Sequence, residues 1–212
     1  MRATAVVPLK RFAVAKSRLD PGVEETRKPE LVAAMVADVL EAIGAARLIE
    51  RTIVVSQEPR AAELAAAAGA DLLSDFDDSS HSSAALAGLA AAAAAGAGCV
   101  ALLPGDCPLL DPRELDKMLT GVPDPYVAVI PDRHGTGTNA LVLAPPSAIE
   151  PSFGEGSRER HVAAARAAGI PFGVEELPSL GLDLDTPADI VALTMRVERG
   201  GGAKRTAKAL GI

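Results

Sequence analysis

Three acidic side chains stand where they could hold a hard divalent cation. Two occur in Gly181-Leu182-Asp183-Leu184-Asp185-Thr186-Pro187-Ala188-Asp189. If Leu182 to Asp185 is extended, Asp183 and Asp185 point to one face and Leu182 and Leu184 to the other. Two carboxylates placed in this way repel each other unless a cation lies between them. The third, Asp106, occurs in Leu102-Leu103-Pro104-Gly105-Asp106-Cys107-Pro108-Leu109, at the tip of an apolar strand. Asp111, immediately before Pro112, is better placed to cap the next helix, which leaves Asp106 for another task. Mg²⁺ prefers oxygen ligands and keeps several waters, so one or two carboxylates suffice to bind it. The spacing therefore predicts one or two Mg²⁺ ions among Asp106, Asp183 and Asp185.

Three further segments suit anions. In Val6-Val7-Pro8-Leu9-Lys10-Arg11-Phe12-Ala13-Val14-Ala15-Lys16-Ser17-Arg18, four cations fall within nine positions after an apolar strand, and could face a triphosphate. A Walker A loop is absent, and a solvated basic loop is the plain alternative. In Pro131-Asp132-Arg133-His134-Gly135-Thr136-Gly137-Thr138-Asn139, glycines and threonines offer N–H and hydroxyl donors, although a simple hairpin loop could look the same. Histidines are too scattered for a metal-ligand spacing, so His134 decides nothing. Ser152-Phe153-Gly154-Glu155-Gly156-Ser157-Arg158-Glu159-Arg160-His161 is a glycine-rich turn opening a helix, which is an anion site by geometry and dipole. Ser157 at the apparent N-cap could cap the helix, bind the anion, or do both. The polar run from Asp75 to Ser83 reads as an acidic surface loop with a serine cap, or as a loop facing a nucleotide.

Short β-rich runs alternating with helical stretches must position these groups, the pattern of a largely parallel sheet flanked by helices. Strands are predicted at Ala3–Val7, Thr52–Ser56, Asp71–Leu73, Cys99–Leu103, Tyr126–Ile130, Ala140–Leu143 and Phe172–Glu175. Helices are predicted at Pro29–Ile43, Pro59–Ala68, Ser82–Ala95, Pro112–Leu119, Arg158–Ala168 and Pro187–Glu198. In open sheets of this kind ligands sit beyond the carboxyl ends of the strands. The anion-binding and acidic segments all follow or adjoin such ends. Residues 1–199 read as a single α/β domain. Gly200-Gly201-Gly202 and the basic residues after it read as a flexible tail over 200–212, because triple glycine confers high chain entropy.

Composition narrows the function classes. The chain has 212 residues, enough for one α/β domain with a substantial core. Aromatics are only 2%, so alanine, valine, leucine and isoleucine must build that core. Twenty-one Lys and Arg against 28 Asp and Glu give a net charge of −7, which argues against a nucleic-acid partner. Two cysteines without a C-x-x-C exclude a disulfide framework and a four-ligand zinc site. The run Ala84–Val100 is nearly all alanine broken by glycines, which gives little insertion energy, so no membrane association is expected. Met1 leads straight into a strand without signal-peptide character, and a cytoplasmic location is expected.

The segments VVPLKRF-AKSRL, PGDCPLL, DRHGTGTNAL, PSFGEGSRERH and LDLDTPAD, in this order and spanning nearly the whole chain, resemble the guanylyltransferase family of coenzyme F-420 biosynthesis. Its members act on phosphoenolpyruvate or 2-phospho-L-lactate. The resemblance implies an α/β nucleotide-diphospho-sugar-transferase-like fold, a three-layer sandwich with a mixed, mainly parallel sheet. It also implies GTP as donor, with Asp106, Asp183 and Asp185 as metal-binding, catalytic carboxylates. Lys16 is implied as catalytic, and Lys10, Lys16, Pro104 and Gly105 as nucleotide-binding. Thr138, Gly154 and Ser157 are implied to hold the phosphorylated acid. A downstream transferase taking up the product, and a monomer or homodimer, fit the same picture. One departure stands out: family members often carry a Leu-Asn pair before the helix after the third strand, where this chain has His81-Ser82-Ser83-Ala84.

The reaction implied is attack of an acceptor phosphate on the α-phosphorus of GTP. Its rivals are a nucleotidyltransferase for a molybdopterin-type or sugar-phosphate acceptor, and a non-catalytic nucleotide-binding module that kept the fold.

Overall fold

In the computed structural model, residues 2–12, 19, 23–74 and 80–212 are described. Seven strands form one sheet: β1 (Ala3–Pro8), β2 (Ile49–Val55), β3 (Asp71–Leu73), β4 (Val100–Leu102), β5 (Tyr126–Pro131), β6 (Thr138–Ala144) and β7 (Phe172–Val174). The spatial order is β3-β2-β1-β4-β6-β5-β7. All neighbours pair parallel except at β6, which runs antiparallel to β4 and β5. Strand order reverses at β1, whose neighbours are β2 on one side and β4 on the other. That reversal opens a crevice at the carboxyl ends of β1 and β4. Because β6 runs the other way, its first residues, Thr138 and Asn139, come to the same end of the sheet.

Alternation along the strands divides the core into two layers. On β1, Ala5 and Val7 face one layer and Val6 the other. The first layer is covered by α1 (Lys28–Ala45), α2 (Ala61–Ala67), α4 (Pro112–Leu119), α6 (Pro187–Glu198) and α7 (Lys204–Leu210), and the second by α3 (His81–Ala94) and α5 (Ser157–Ala167). On α1, Leu31, Met35, Val39 and Ile43 recur every four residues and are all buried, which is one helical face turned to the sheet. The alanines of α3 allow it to lie close on the sheet. A Cβ at Gly88 would meet Val6 Cγ1 at 2.3 Å and Val55 Cγ2 at 2.9 Å, so the approach needs glycine.

The structure has the predicted mixed, mainly parallel α/β architecture. Two predicted helices, Pro112–Leu119 and Pro187–Glu198, have their observed bounds, and Asp111 caps the former by accepting from the Arg113 amide at 2.8 Å.

The tail prediction over 200–212 does not match the structure. Residues Lys204–Leu210 form α7, which lies along α1. The buried Asp38 carboxylate of α1 accepts from Thr206 N and Thr206 Oγ1, both at 2.8 Å, and from Arg205 N at 3.1 Å. A carboxylate that satisfies the unpaired amides at a helix N-terminus anchors that helix. The glycines preceding α7 bend the chain back to this docking site instead of releasing it.

Candidate active site

A cleft of about 690 Å³ opens at the strand reversal. Pro8, Leu9 and Lys10 line it after β1, Pro104, Gly105 and Asp106 after β4, and Thr138 and Asn139 at the start of β6. Gly154, Asp183 and Asp185 complete its polar wall. A cavity of this size suits a nucleotide-sized ligand. Of the residues singled out in the sequence, Lys10, Pro104, Gly105, Asp106, Thr138, Gly154, Asp183 and Asp185 share this one cleft. Lys16 lies outside the described residues, as does most of the Asp75–Ser83 loop. Ser157 is fully buried next to the cleft wall.

Backbone contacts join the two segments that carry the acidic groups. The Leu184 amide donates to the Asp106 carbonyl at 3.2 Å, joining the loop after β4 to the LDLD segment. Leu182 and Leu184 are buried at 4% and 0% exposure, while Asp183 and Asp185 are half-buried, which is the alternation expected of an extended segment. Nearby, Asn139 donates from Nδ2 to the Leu180 carbonyl at 2.7 Å and ties β6 to the same segment.

Asp189, fully buried in the first turn of α6, holds Asp185 in place. Its Oδ2 accepts from Asp185 N at 3.0 Å, Thr186 N at 2.7 Å and Thr186 Oγ1 at 2.9 Å, and its Oδ1 pairs with the Arg133 guanidinium. Asp189 was not singled out in the sequence. Its place three residues after Thr186, the spacing of a capping box, was the available signal. His134, beside Arg133, is exposed and accepts from Arg133 Nε at 3.1 Å.

The glycine-rich turn differs in one detail from its prediction. Gly156, at φ +68°, is the N-cap of α5, and Ser157 is the first residue of the helix. A left-handed residue at that point favours glycine. Ser157 Oγ is buried and has no hydrogen-bond partner among the described residues. One turn later His161, also fully buried, contacts Thr138 Oγ1 through Nδ1 at 3.0 Å.

His81 and Ser82, at the start of α3, line the cleft with Phe153. Ser80 caps α3, accepting from the Ser83 amide at 3.0 Å, as the predicted serine cap requires. Ser82 Oγ accepts from the Phe153 amide at 3.1 Å, joining α3 to the PSFGEG turn. Burial holds the His81 imidazole below its usual pKa. The Asp106 carboxylate opposes that effect and the Lys10 cation adds to it. Val32 and Val36 of α1 and Phe12 supply the apolar wall, which the sequence did not disclose because the same residues also read as ordinary core.

Asp106, Asp183 and Asp185 offer only hard oxygen donors, the chemistry that suits Mg²⁺. Among the described residues no group of three or more His, Cys, Asp or Glu side chains is arranged to hold a metal ion, so these three carboxylates share the cleft without forming a preorganised three-ligand site. Their chemistry fits Mg²⁺, an ion that completes its shell with water or phosphate oxygens. No helix among the described residues is long and apolar enough to cross a membrane.

The fold and the placement of this cleft define a nucleotidyltransferase-like α/β protein. A protein from Desulfovibrio desulfuricans G20 named for the nucleotide-diphospho-sugar transferases superposes with a TM-score of 0.74, covering 99% of this chain and 97% of its own, at 17% identity. A nucleotidyl transferase from Methanothermobacter thermautotroptrophicus gives a TM-score of 0.68 over 94% of this chain and 99% of its own, at 19% identity. At such identities the likeness concerns the fold.

Sequence defines the family. Residues 3–212 match the family model described as guanylyl transferase CofC like, and the chain belongs to that family. The phosphoenolpyruvate guanylyltransferase of Conexibacter woesei is 41% identical over 210 residues, which are 97% of this chain and 94% of that protein. The protein of the same name from Sphaerobacter thermophilus is 38% identical over 193 residues, covering 91% and 93%.

Proposed function

We propose that this protein transfers GMP from GTP to phosphoenolpyruvate, releasing pyrophosphate, as a cytoplasmic step of coenzyme F-420 biosynthesis. The observation that carries the reading is the meeting of Lys10, Asp106, Asp183, Asp185, Thr138 and Gly154 in one cleft at the strand reversal. The relatives named phosphoenolpyruvate guanylyltransferase, similar over nearly the whole chain, support this acceptor over 2-phospho-L-lactate.

An oxygen of the acceptor phosphate attacks the α-phosphorus of GTP. A new P–O bond forms there, the bond to the bridging oxygen of the β-phosphoryl group breaks, and pyrophosphate leaves with that electron pair. The acceptor phosphate is already anionic at neutral pH, with roughly −1.5 to −2 charges, so no side chain needs to remove a proton. The barrier lies in bringing two polyanions together. Lys10 offers positive charge on the side after β1, and Lys16 is assigned to the same task from the sequence. Pro104 and Gly105, which line the cleft, are assigned to nucleotide binding. Thr138, Gly154 and Ser157 hold the acid, the orphan Ser157 hydroxyl being the group that supports this assignment.

Asp106, Asp183 and Asp185 would hold Mg²⁺, which would screen the charge of the phosphates and stabilise charge developing on the leaving group. The role of the chain itself is to fix those carboxylates through the Leu184–Asp106 bond and the Asp189 contacts. Incubating the protein with Mg²⁺, each nucleoside triphosphate and each acid, then weighing the products by mass spectrometry, tests the reading. GTP with phosphoenolpyruvate should yield the guanylylated acid. A product only with another nucleotide or another acid would overturn the assignment. A downstream transferase that takes up the product should be included in a parallel reaction.

A further inference from the structure

His161 has no direct place in the chemistry, yet it is fully buried between the glycine-rich turn and Thr138. On one side, the backbone amide of Ser152 donates to His161 Nε2 at 2.8 Å. A backbone N–H can only donate, so Nε2 must carry a lone pair. In the neutral ring the proton then sits on Nδ1, which faces Thr138 Oγ1 at 3.0 Å. Thr138 therefore accepts from the ring. A hydroxyl that accepts on a lone pair keeps its own hydrogen for a different partner.

We propose that His161 is a positioning residue that makes the Thr138 hydroxyl an obligate donor toward the anionic acceptor in the cleft. The proposal rests on the reading of Thr138 as an acceptor-binding group. With the opposite tautomer, Thr138 would donate to the ring and turn a lone pair toward an anion, which is repulsive. The relay runs one way: Ser152 N–H to His161, His161 Nδ1–H to Thr138, Thr138 O–H to the ligand.

The surroundings keep the relay in that state. Ser152 is clamped by Arg160, which donates to Ser152 Oγ and Ser152 O, both at 3.0 Å. Phe153 lies edge-on to the His161 ring, with centroids 5.4 Å apart, and edge-on to His81 on its other side at 5.0 Å. Burial, with the Arg160 cation adding to it, lowers the His161 pKa to about 4, so the ring is neutral at physiological pH. Ser157, whose buried hydroxyl lacks a partner, sits four residues before His161 on the same helix face.

Two substitutions separate the two bonds. His161→Asn places an amide near the Nδ1 position and keeps a donor toward Thr138, while giving up the acceptor for Ser152. His161→Gln extends an acceptor toward the Ser152 amide and leaves Thr138 without a donor. Steady-state kinetics with phosphoenolpyruvate and GTP should show KM for the acid raised about ten-fold in His161→Gln, one lost hydrogen bond to a charged group. His161→Asn should retain most of the affinity, and KM for GTP should stay nearly unchanged in both. Adding His161→Gln to Thr138→Val should bring no further loss in KM for the acid.

If His161 only anchored the Ser152 turn, Gln would outperform Asn and the double variant would lose more than Thr138→Val, and either result overturns the proposal. Nitrogen NMR of the wild-type imidazoles gives a readout independent of any variant: the proton of His161 is expected on Nδ1, and a proton on Nε2 refutes the relay. Failure of the wild type to guanylylate phosphoenolpyruvate would instead strike the proposed function itself.

Discussion

The Leu184 amide donates to the Asp106 carbonyl at 3.2 Å, across 78 residues of sequence. Through this bond the loop after β4 and the segment before α6 become one rigid edge of the cleft. Asp183 and Asp185 flank Leu184, so the bond that holds Leu184 also sets both carboxylates relative to Asp106. Leu184 is fully buried, which anchors the same segment from behind.

Asp189 should be as important to this edge as the carboxylates it supports. In Asp189→Ala the Asp185 and Thr186 amides lose their acceptor and the Arg133 guanidinium loses its partner. Arg133 stays in contact with solvent, so the cost comes mainly from the amides and hydroxyl left without an acceptor, about 1–3 kcal/mol, which urea unfolding would read directly. Turnover at temperatures where the variant remains folded should also fall, because Asp185 is no longer fixed. Unchanged turnover would place Asp189 outside the support of the site.

Asp38 offers the opposite case, a buried carboxylate that does not line the cleft. Asp38→Ala removes the anchor of α7, including the bonds to Thr206 N, Thr206 Oγ1 and Arg205 N. Hydrogen bonds to charged groups contribute about 1.5–3 kcal/mol each, so a loss of about that size is expected by urea unfolding. KM for both substrates should stay close to wild type below the melting temperature. A normal unfolding midpoint would mean that α7 contributes nothing to stability.

Stability should fall in mild acid. The His161 pKa is depressed to about 4, whereas an unfolded histidine titrates near 6.5. Below pH 6.5 the unfolded chain therefore binds a proton on this ring that the folded chain does not. The stability contribution is present above that pH and is lost as pH drops through the window toward 4, at up to about 1.4 kcal/mol per unit. His81, whose pKa burial also lowers, acts in the same direction. Unfolding midpoints measured between pH 7 and 5 should show a shallower slope in His161→Asn than in wild type. Equal slopes would mean that the folded protein protonates His161 freely.

The acidic edge was legible in the sequence because its chemistry repeats at a period the backbone imposes. Alternating Leu and Asp over 182–185 announced two carboxylates on one face, and the Leu182 and Leu184 burials bear that out. Asp106 was legible because Asp111-Pro112 already supplied the cap. The strands were legible from apolar runs, although β6 begins two residues earlier than its apolar pattern, at Thr138, where polar residues serve the cleft. Relations that depend on tertiary contact were not legible. Nothing local to Arg133 foretells its pairing with Asp189, and triple glycine before α7 outweighed a docking site on Asp38 that lies in a distant helix. The His161 bond to Thr138 likewise exists only once α5 packs onto the sheet.

The most direct test of the account is pyrophosphate release from GTP and phosphoenolpyruvate in Mg²⁺, comparing wild type with the combined Asp106→Asn, Asp183→Asn and Asp185→Asn variant. The account predicts steady release by the wild type, its loss on chelation of Mg²⁺, and none above background from a variant that still melts cooperatively. Mg²⁺-dependent release at the wild-type rate by the folded triple variant would contradict it.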